Sequence, residues 1–316
     1  MPHPEPWQHA YWRLDKKSMF RKMERMTDFH IIGFDLSAFV QRTLDEDLGI
    51  GLPGGGTDVT ATSMIPVDAR FSGVMDSRDA CSIAGLPVAE AFFRALDPDV
   101  RVEILAEEGA QVAPGTDLMR LEGNARALLT AERSALNTVQ HLTGIATMVR
   151  EYVTAMQAGG GNPDCTLLDT RKTIPGLRHL EKYAVRMGGG NNHRMGLWDA
   201  AMIKDNHIAV AGNVGEAVRR ARDAGVVDII CEVDRIDQIE PALKAGATRL
   251  LLDNMEPPAL RKAVALVAGR VPTEASGGIN LDTIHGKAAT GVDFVSVGRL
   301  TQSAPAADIG LDFAVL

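Results

Sequence analysis

Apolar positions along this chain follow two different periods, one in each half. Residues 34–47 (FDLSAFVQRTLDED) repeat at helical spacing and predict an amphipathic helix ended by Gly49. Short alternating runs within 68–80 and 100–122 predict strands of a small sheet, with a helix over 83–96 between them. A long helical period then occupies 125–157, with a break expected near Gly144, and GGGNPD at 159–164 closes this half as a loop.

From residue 166 the pattern changes to compact apolar runs separated by helical stretches. Strands are predicted at 166–170, 199–203, 228–234, 249–254, 273–278 and 294–298, with helices at 214–224, 238–245 and 258–268 between them. Near-continuous apolar strands alternating with helices imply a parallel sheet covered by helices. The polar residues gather at the strands' C-terminal ends: Asp169 to Lys172, Lys204, Glu232, Asp253, Ser276 to Gly278, and Gly298. In a barrel, that rim assembles the active site. Six visible strands suit an incomplete barrel better than a full eight.

Charge sharpens this picture. Between Arg171 and Lys204 stand seven basic residues (Arg171, Lys172, Arg178, Lys182, Arg186, Arg194, Lys204) against two acids, Glu181 and Asp199, inside a chain of net charge −8. A basic island in an acidic protein does not suit non-specific nucleic-acid binding, which favours a broadly basic surface. It suits a small, highly charged anion: guanidinium forks match carboxylates, and ammonium groups serve phosphates as point charges.

Other features set limits. Cys81, Cys165 and Cys231 have no zinc or C-x-x-C spacing and read as buried reduced thiols, which makes a reducing cytoplasm the default. No apolar run approaches the roughly 20 residues of a membrane span. Residues 1–27 carry no secretory h-region. They read as a peripheral extension with a short basic helix over 14–26, and a targeting or partner-binding arm is the alternative. Gly49, Gly51 and Gly54 spell a formal G-x-G-x-x-G, but the pattern before them is helical and Pro53 with further glycines follows. A dinucleotide fingerprint needs a strand before it and a helix after it, so this one is rejected.

The rim residues leave alternatives open. Glu232 and Asp253 suit a Mg²⁺–phosphate complex or sugar hydroxyls, or they neutralise nearby lysines and arginines. The loops ASGGI (275–279) and SVGRL (296–300) offer backbone N–H groups to a phosphate, or are simply tight turns. His193 orients a substrate, acts as acid or base, or is structural, and His207 is equally open. No zinc-protease, nucleophile-elbow or paired Cys/His signature is present.

At these residues the chain resembles the quinolinate phosphoribosyltransferases, the carboxylating nicotinate-nucleotide pyrophosphorylases. The similarity runs from about Leu44 to Asp312. It is carried by LLTAERSALN (128–137), LTGIAT (142–147), LDTRKTIPGLRHLEKYAVRMGGGNNHRMGL (168–197), IKDNHI (203–208), LLDN (251–254), EASGGI (274–279) and VSVGRLTQSAP (295–305). The resemblance implies an α/β fold with an N-terminal α/β sandwich domain and an incomplete, open α/β barrel. The expected layout is an extension (1–33), the sandwich (34–140), the barrel with both substrate sites (141–302) and a C-terminal segment (303–316) returning to the sandwich. It also implies a homodimer with shared active sites, with a higher oligomer left open, and no nucleic-acid or membrane partner. The implied reaction converts quinolinate and 5-phosphoribosyl-1-pyrophosphate into nicotinate mononucleotide, carbon dioxide and pyrophosphate with Mg²⁺, in de novo NAD biosynthesis.

Site roles follow from the same resemblance. Arg133 would reach into the neighbouring subunit's site and touch quinolinate, while Arg171, His193, Arg194 and Lys204 would bind it in their own subunit. Lys172 and Lys204 would meet substrate or pyrophosphate charge in the catalytic step. Glu232 and Asp253 would act on the ribose hydroxyls and hold the metal, directly or through water. Ser276, Gly277 and Gly298 would hold the 5′-phosphate. The departures are Arg299, where the family commonly has a small residue, and Gln302, where it commonly has His. Two rivals stay open: a molybdate-operon homologue of the family, disfavoured by the intact IKDNH block, and a catalytically inactive anion-binding scaffold on the same fold.

Overall fold

The computed structural model describes residues 29–158 and 162–316, so the expected helix at 14–26 lies outside the described residues. The chain opens with helix α1 (Leu36–Leu48), which buries Phe39, Val40 and Leu44. Asp35 caps it by accepting the Ala38 N–H at 2.9 Å, and Gly49 ends it in the left-handed conformation at φ 66°. The glycine-rich loop therefore follows a helix C-terminus, not a strand. It leads into α2 (Val59–Met64), capped by Asp58.

Strands β1 (Arg70–Ser77), β3 (Arg101–Ile104) and β5 (Thr116–Asn124) join β12 (Ile309–Val315) in an antiparallel sheet of order β12-β1-β5-β3. A two-stranded ribbon of β2 (Cys81–Ser82) and β4 (Gln111–Val112) lies apart from it. Helices α3 (Leu86–Leu96) and α4 (Ala125–Ala158) pack together. Met75, Phe92, Phe93, Leu118, Met119 and Leu128 are buried in the shared core, where a register shift between β1 and β5 at Leu118 interrupts the alternation.

The break expected at Gly144 does not occur. Helix α4 runs 34 residues without interruption, about 51 Å at 1.5 Å per residue, and passes straight through the 140/141 boundary. Gly144 has a different physical role: a Cβ there would lie 1.9 Å from the Pro305 carbonyl oxygen. The glycine lets the C-terminal segment cross the helix in contact with its backbone. Beside that crossing the Ala307 N–H donates to the Gln140 carbonyl at 3.0 Å, and the Gln140 amide donates to the Ile309 carbonyl at 2.7 Å. These contacts deliver β12 to the edge of β1.

The second half forms six parallel strands: β6 (Thr166–Leu168), β7 (Ala201–Ile203), β8 (Ile229–Val233), β9 (Arg249–Asp253), β10 (Thr273–Ser276) and β11 (Phe294–Ser296). Their order is β6-β11-β10-β9-β8-β7, a barrel sequence left open between β6 and β7. On its open side β6 receives only a bridge from Leu168 to Asn191. The connection from β6 to β7 carries α5 (Arg178–Met187). Outside the other strands lie α6 (Asp205–Ala211), α7 (Val214–Asp223), α8 (Ile239–Ala245), α9 (Pro257–Val267), α10 (Ile284–Ala288) and α11 (Arg299–Gln302). Cys81, Cys165 and Cys231 are buried free thiols, as the sequence suggests.

Candidate active site

Strand alternation decides which residues enter the barrel. Leu167, Leu250, Leu252, Ala275 and Val295 belong to the main core under the helices. Ile230 and Leu251 instead form a small cluster with Ala200 and Met202. The inner face of β9 is therefore Arg249, Leu251 and Asp253. Register then places Glu232 and Glu274 beside Leu251, and Ser276 beside Asp253, on that same face. An apolar plug thus floors the barrel and polar groups occupy its mouth.

The basic wall hangs on a buried network at the end of β6. Asp169 is fully buried and accepts hydrogen bonds from the Lys182 ammonium, from Asn192 Nδ2 at 2.7 Å and from the His193 N–H at 2.8 Å. Lys182 Nζ also donates to the His193 carbonyl at 3.0 Å. Burial pushes the Asp169 carboxyl up and the Lys182 ammonium down, and each opposes the other's shift. Breaking such a pair strands a buried charge, so the network fixes residues 191–194 against β6.

Arg171 and Arg194 flank this anchor. Arg194 Nη1 donates to the Ala200 carbonyl at 2.8 Å. Burial lowers the Arg194 guanidinium from its ordinary value and the charge of Arg171 lowers it further, while Asp199 raises it. The Nε of each arginine is buried without a hydrogen-bond partner. Two like charges held close make a receptor for a small dianion.

Across the mouth, Lys204 precedes α6 and pairs through Nζ with Glu232 Oε2. Asp253 Oδ2 accepts from Asn254 Nδ2 at 2.6 Å. Asn254 adopts a left-handed backbone at φ 53°, and its N–H donates to the Ser276 carbonyl at 2.9 Å. This turn presses its side chain onto Gly277, where a Cβ would lie 2.1 Å from Asn254 Oδ1. Gly298 admits Lys172 in the same way, since a Cβ there would lie 2.7 Å from Lys172 Cδ. Thr301 Oγ1 holds the Lys172 carbonyl at 2.8 Å. Lys172 and the two glycine loops are thereby joined into one surface.

Family models match nearly all of this structure. The quinolinate phosphoribosyl transferase N-terminal domain matches residues 58–143, and the C-terminal domain of the same family matches residues 145–312. The chain belongs to the quinolinate phosphoribosyltransferase family. It is 42% identical over 283 residues to the nicotinate-nucleotide pyrophosphorylase (carboxylating) of Mycobacterium leprae, covering 86% of this chain and 95% of that one. It is 39% identical over 299 residues to quinolinate phosphoribosyltransferase (decarboxylating) 2a, mitochondrial, of Nicotiana tabacum, covering 88% and 82%. The crystal structure of NadC from Streptococcus pyogenes superposes with a TM-score of 0.84 at 35% identity, covering 92% of this chain and all of that one.

Not every residue implied by likeness to the quinolinate phosphoribosyltransferases sits in the mouth with a free side chain. His193 is buried and both its ring nitrogens are engaged: Nδ1 accepts the Arg194 N–H at 2.7 Å, and Nε2 lies 3.2 Å from Glu274 Oε2. Arg133, on α4, is 62% exposed and its ion-pair partner is the adjacent Glu132. Glu132 in turn feels the charge of Asp312 on β12. The charge of Arg299 acts on the buried Tyr152 of α4, as do those of Glu151 and Asp282. Gln302 is exposed.

Glu274 carries a role that the residue pattern did not assign. It is fully buried and lies near Arg249 Nη1 at 3.5 Å. Burial pushes its carboxyl up, but hydrogen bonds from His193 and Ser296 and the Arg249 charge outweigh this and hold it below the usual range. An acid in the interior of a short strand between two apolar-strand neighbours, β9 and β11, was the available signal. Asn254 is the second such residue, and only its backbone conformation reveals it.

Proposed function

We propose that this protein transfers the phosphoribosyl group of 5-phosphoribosyl-1-pyrophosphate to the nitrogen of quinolinate, with loss of carbon dioxide, as a step of NAD biosynthesis. The observation that carries this reading is the pair of guanidiniums, Arg171 and Arg194, each with a buried unpartnered Nε. They stand at the same barrel mouth as a Lys204–Glu232 pair and two glycine-permitted loops. A 2,3-dicarboxylate supplies two anionic forks for the two arginines. Ser276, Gly277 and Gly298 line the loops offered to the 5′-phosphate.

In the chemical step the bond from the anomeric carbon to the pyrophosphate oxygen breaks and a bond to the pyridine nitrogen forms. Positive charge develops on the sugar as the leaving group departs. Glu232 and Asp253 face that position and stabilise it electrostatically, while Lys172 and Lys204 meet the departing diphosphate. The alkylated pyridinium then stabilises the electron pair left on the ring carbon as the adjacent carboxylate departs as carbon dioxide, and that carbon takes a proton from solvent. The protein's part in that second step is positioning, through the same arginines.

Among the described residues no group of three or more His, Cys, Asp or Glu forms a cage for a metal. Two carboxylates with one oxygen each already engaged fit Mg²⁺ that arrives on the diphosphate and takes one or two protein oxygens, directly or through water. Bound there, the ion would neutralise charge on the departing diphosphate. The exposed Arg133 on α4 supports a homodimer in which it completes the neighbouring subunit's site. Three buried free thiols support residence in a reducing cytoplasm.

The deciding experiment is chromatography of nicotinate mononucleotide formed from quinolinate, phosphoribosyl pyrophosphate and Mg²⁺, with release of labelled carbon dioxide. Product with stoichiometric carbon dioxide is expected. Binding of both substrates without product would favour the scaffold, and turnover of another acceptor only would favour the molybdate-operon homologue. Mixed Arg133→Ala and Lys172→Ala dimers should recover about a quarter of wild-type activity after subunit exchange if Arg133 acts across the interface.

A further inference from the structure

A histidine that recognises a substrate carboxylate needs a ring nitrogen pointing into the site, and His193 has none to spare. Its Nδ1 accepts the backbone N–H of Arg194 at 2.7 Å, so in the neutral ring the proton sits on Nε2. That Nε2–H donates to Glu274 Oε2 at 3.2 Å, deep inside the barrel. The ring is only 5% exposed, Glu274 is fully buried, and the other Glu274 oxygen is buried without a partner. Ser296 and Arg249, on the same inner face, also act on this carboxylate, Arg249 at a longer 3.5 Å. Arg249 is itself held by the ring of Phe294, 4.5 Å from its centroid.

The contacts form a chain. β10 fixes Glu274, Glu274 fixes the ring and tautomer of His193, and His193 fixes the peptide from which the Arg194 side chain departs. The Asp169–Lys182 pair holds the same peptide from the other side, through the His193 N–H and carbonyl. We propose that Glu274 and His193 are positioning residues that act through Arg194, and that His193 does not itself contact the substrate carboxylates. Glu274 keeps His193 as the Nε2–H tautomer so that Nδ1 receives the Arg194 N–H and the guanidinium is held at one place at the mouth. Selectivity for the dicarboxylate thus depends on a buried acid that does not itself face the dicarboxylate. The kinetic side of this proposal rests on the function proposed above; the tautomer does not.

The test has two arms on the full-length protein. In the first, long-range proton–nitrogen correlation on ¹⁵N-histidine-labelled protein reads the ring directly, with His193→Asn used to assign the signals. A protonated Nε2 and an unprotonated Nδ1 are expected, and an Nδ1–H ring would overturn the proposal whatever the enzyme does. In the second, steady-state kinetics separate the two substrates. Glu274→Leu should raise the quinolinate KM by about tenfold or more, as loss of placement does, while moving the phosphoribosyl pyrophosphate KM less than about twofold. Glu274→Gln keeps an acceptor for Nε2–H and should recover most of that loss.

At position 193 the amide isosteres divide the two roles. Asn places an acceptor near Nδ1, and Gln places a donor near Nε2. His193→Asn should retain more quinolinate affinity than His193→Gln. Better retention by Gln would mean that Nε2 serves the substrate directly and would overturn the proposal. Should Glu274→Leu fail to fold, the position 193 pair and the tautomer still decide. Should wild type fail to turn over quinolinate at all, the function fails and the tautomer alone is judged.

Discussion

Gly298→Ala isolates a functional effect of a single methyl group. The backbone at Gly298 has φ −71°, open to any residue, so alanine carries no conformational penalty there. The added Cβ would lie 2.7 Å from Lys172 Cδ, 3.6 Å from its Cε and 3.4 Å from Thr170 Oγ1. Carbon atoms pack at about 3.5–4.0 Å, so the lysine stem must retreat by about 1 Å. Lys172 is exposed and its stem is flexible. An off-rotamer lysine costs about 0.5–1.5 kcal/mol, equivalent to a few degrees in melting temperature at most. A 1 Å misplacement of a catalytic group, in contrast, costs up to about a hundredfold in rate. We therefore expect kcat to fall between about ten- and a hundredfold while thermal unfolding moves by less than about 4 °C. The assay is nicotinate mononucleotide formation at saturating substrates beside a calorimetric melt. Wild-type turnover in a folded Gly298→Ala protein would show that Lys172 does not work from the position in which Gly298 lets it lie.

The other predictions act on separate parts of the molecule. Gly144→Ala removes a helix-interior glycine, worth about 1 kcal/mol, yet its methyl would strike the Pro305 carbonyl at 1.9 Å, a backbone atom with little freedom. A net loss of about 1–2 kcal/mol, seen as a lower melting temperature with unchanged activity per folded molecule, is expected; a rise would mean the C-terminal crossing is loose. Arg171→Ala and Arg194→Ala should each weaken quinolinate binding by roughly 10- to 150-fold, from about 1.5–3 kcal/mol per charged contact, with phosphoribosyl pyrophosphate much less affected. Equal losses for both ligands in titration calorimetry would refute the assignment. Glu232→Gln and Asp253→Asn should lower turnover and shift its Mg²⁺ dependence with quinolinate binding nearly intact; either variant with a wild-type Mg²⁺ profile would be structural. Burial pushes Cys165 and Cys231 up to about 12, so at pH 8 only about one thiol in ten thousand is ionised. Neither should react with a disulfide reagent until the protein is unfolded, and rapid labelling of the native protein would contradict that burial.

Much of the barrel is legible from pattern because its cause is local. Strands buried on both faces need apolar residues in sequence, and the six runs from 166 onward occupy the six observed strands within a few residues. The gap between β6 and β7 is not legible in this way, since a strand's hydrogen-bonding partner leaves no mark on its own sequence. Gly144 shows the same limit inside a helix. A glycine that interrupts a helix and one that admits a neighbouring backbone look identical until Pro305 is seen lying on it. At the site, residue types announced an anion and the resemblance supplied its identity, but neither reports what a side chain already holds. His193 read as a ligand because its two nitrogens are silent in sequence; Glu274 and the Arg194 peptide occupy both of them.

The arrangement of buried charge explains how an acidic chain keeps a strongly cationic mouth. Below the mouth, charges are matched internally: Lys182 by Asp169 and Arg249 by Glu274. At the mouth Lys204 still pairs with Glu232, but the matching stops at the two arginines. Arg171 and Arg194 repel one another across a space where each has an unpartnered buried Nε, and burial already works against the Arg194 charge. Unpartnered polar groups of this kind cost about 1–3 kcal/mol each in the free protein. A ligand that supplies two carboxylates neutralises both guanidiniums and their mutual repulsion together, whereas a monocarboxylate leaves one arginine unpaired. Discrimination for the dianion then comes from what the free site lacks, and it persists only while the buried pairs beneath keep both guanidiniums from turning toward each other's neighbours.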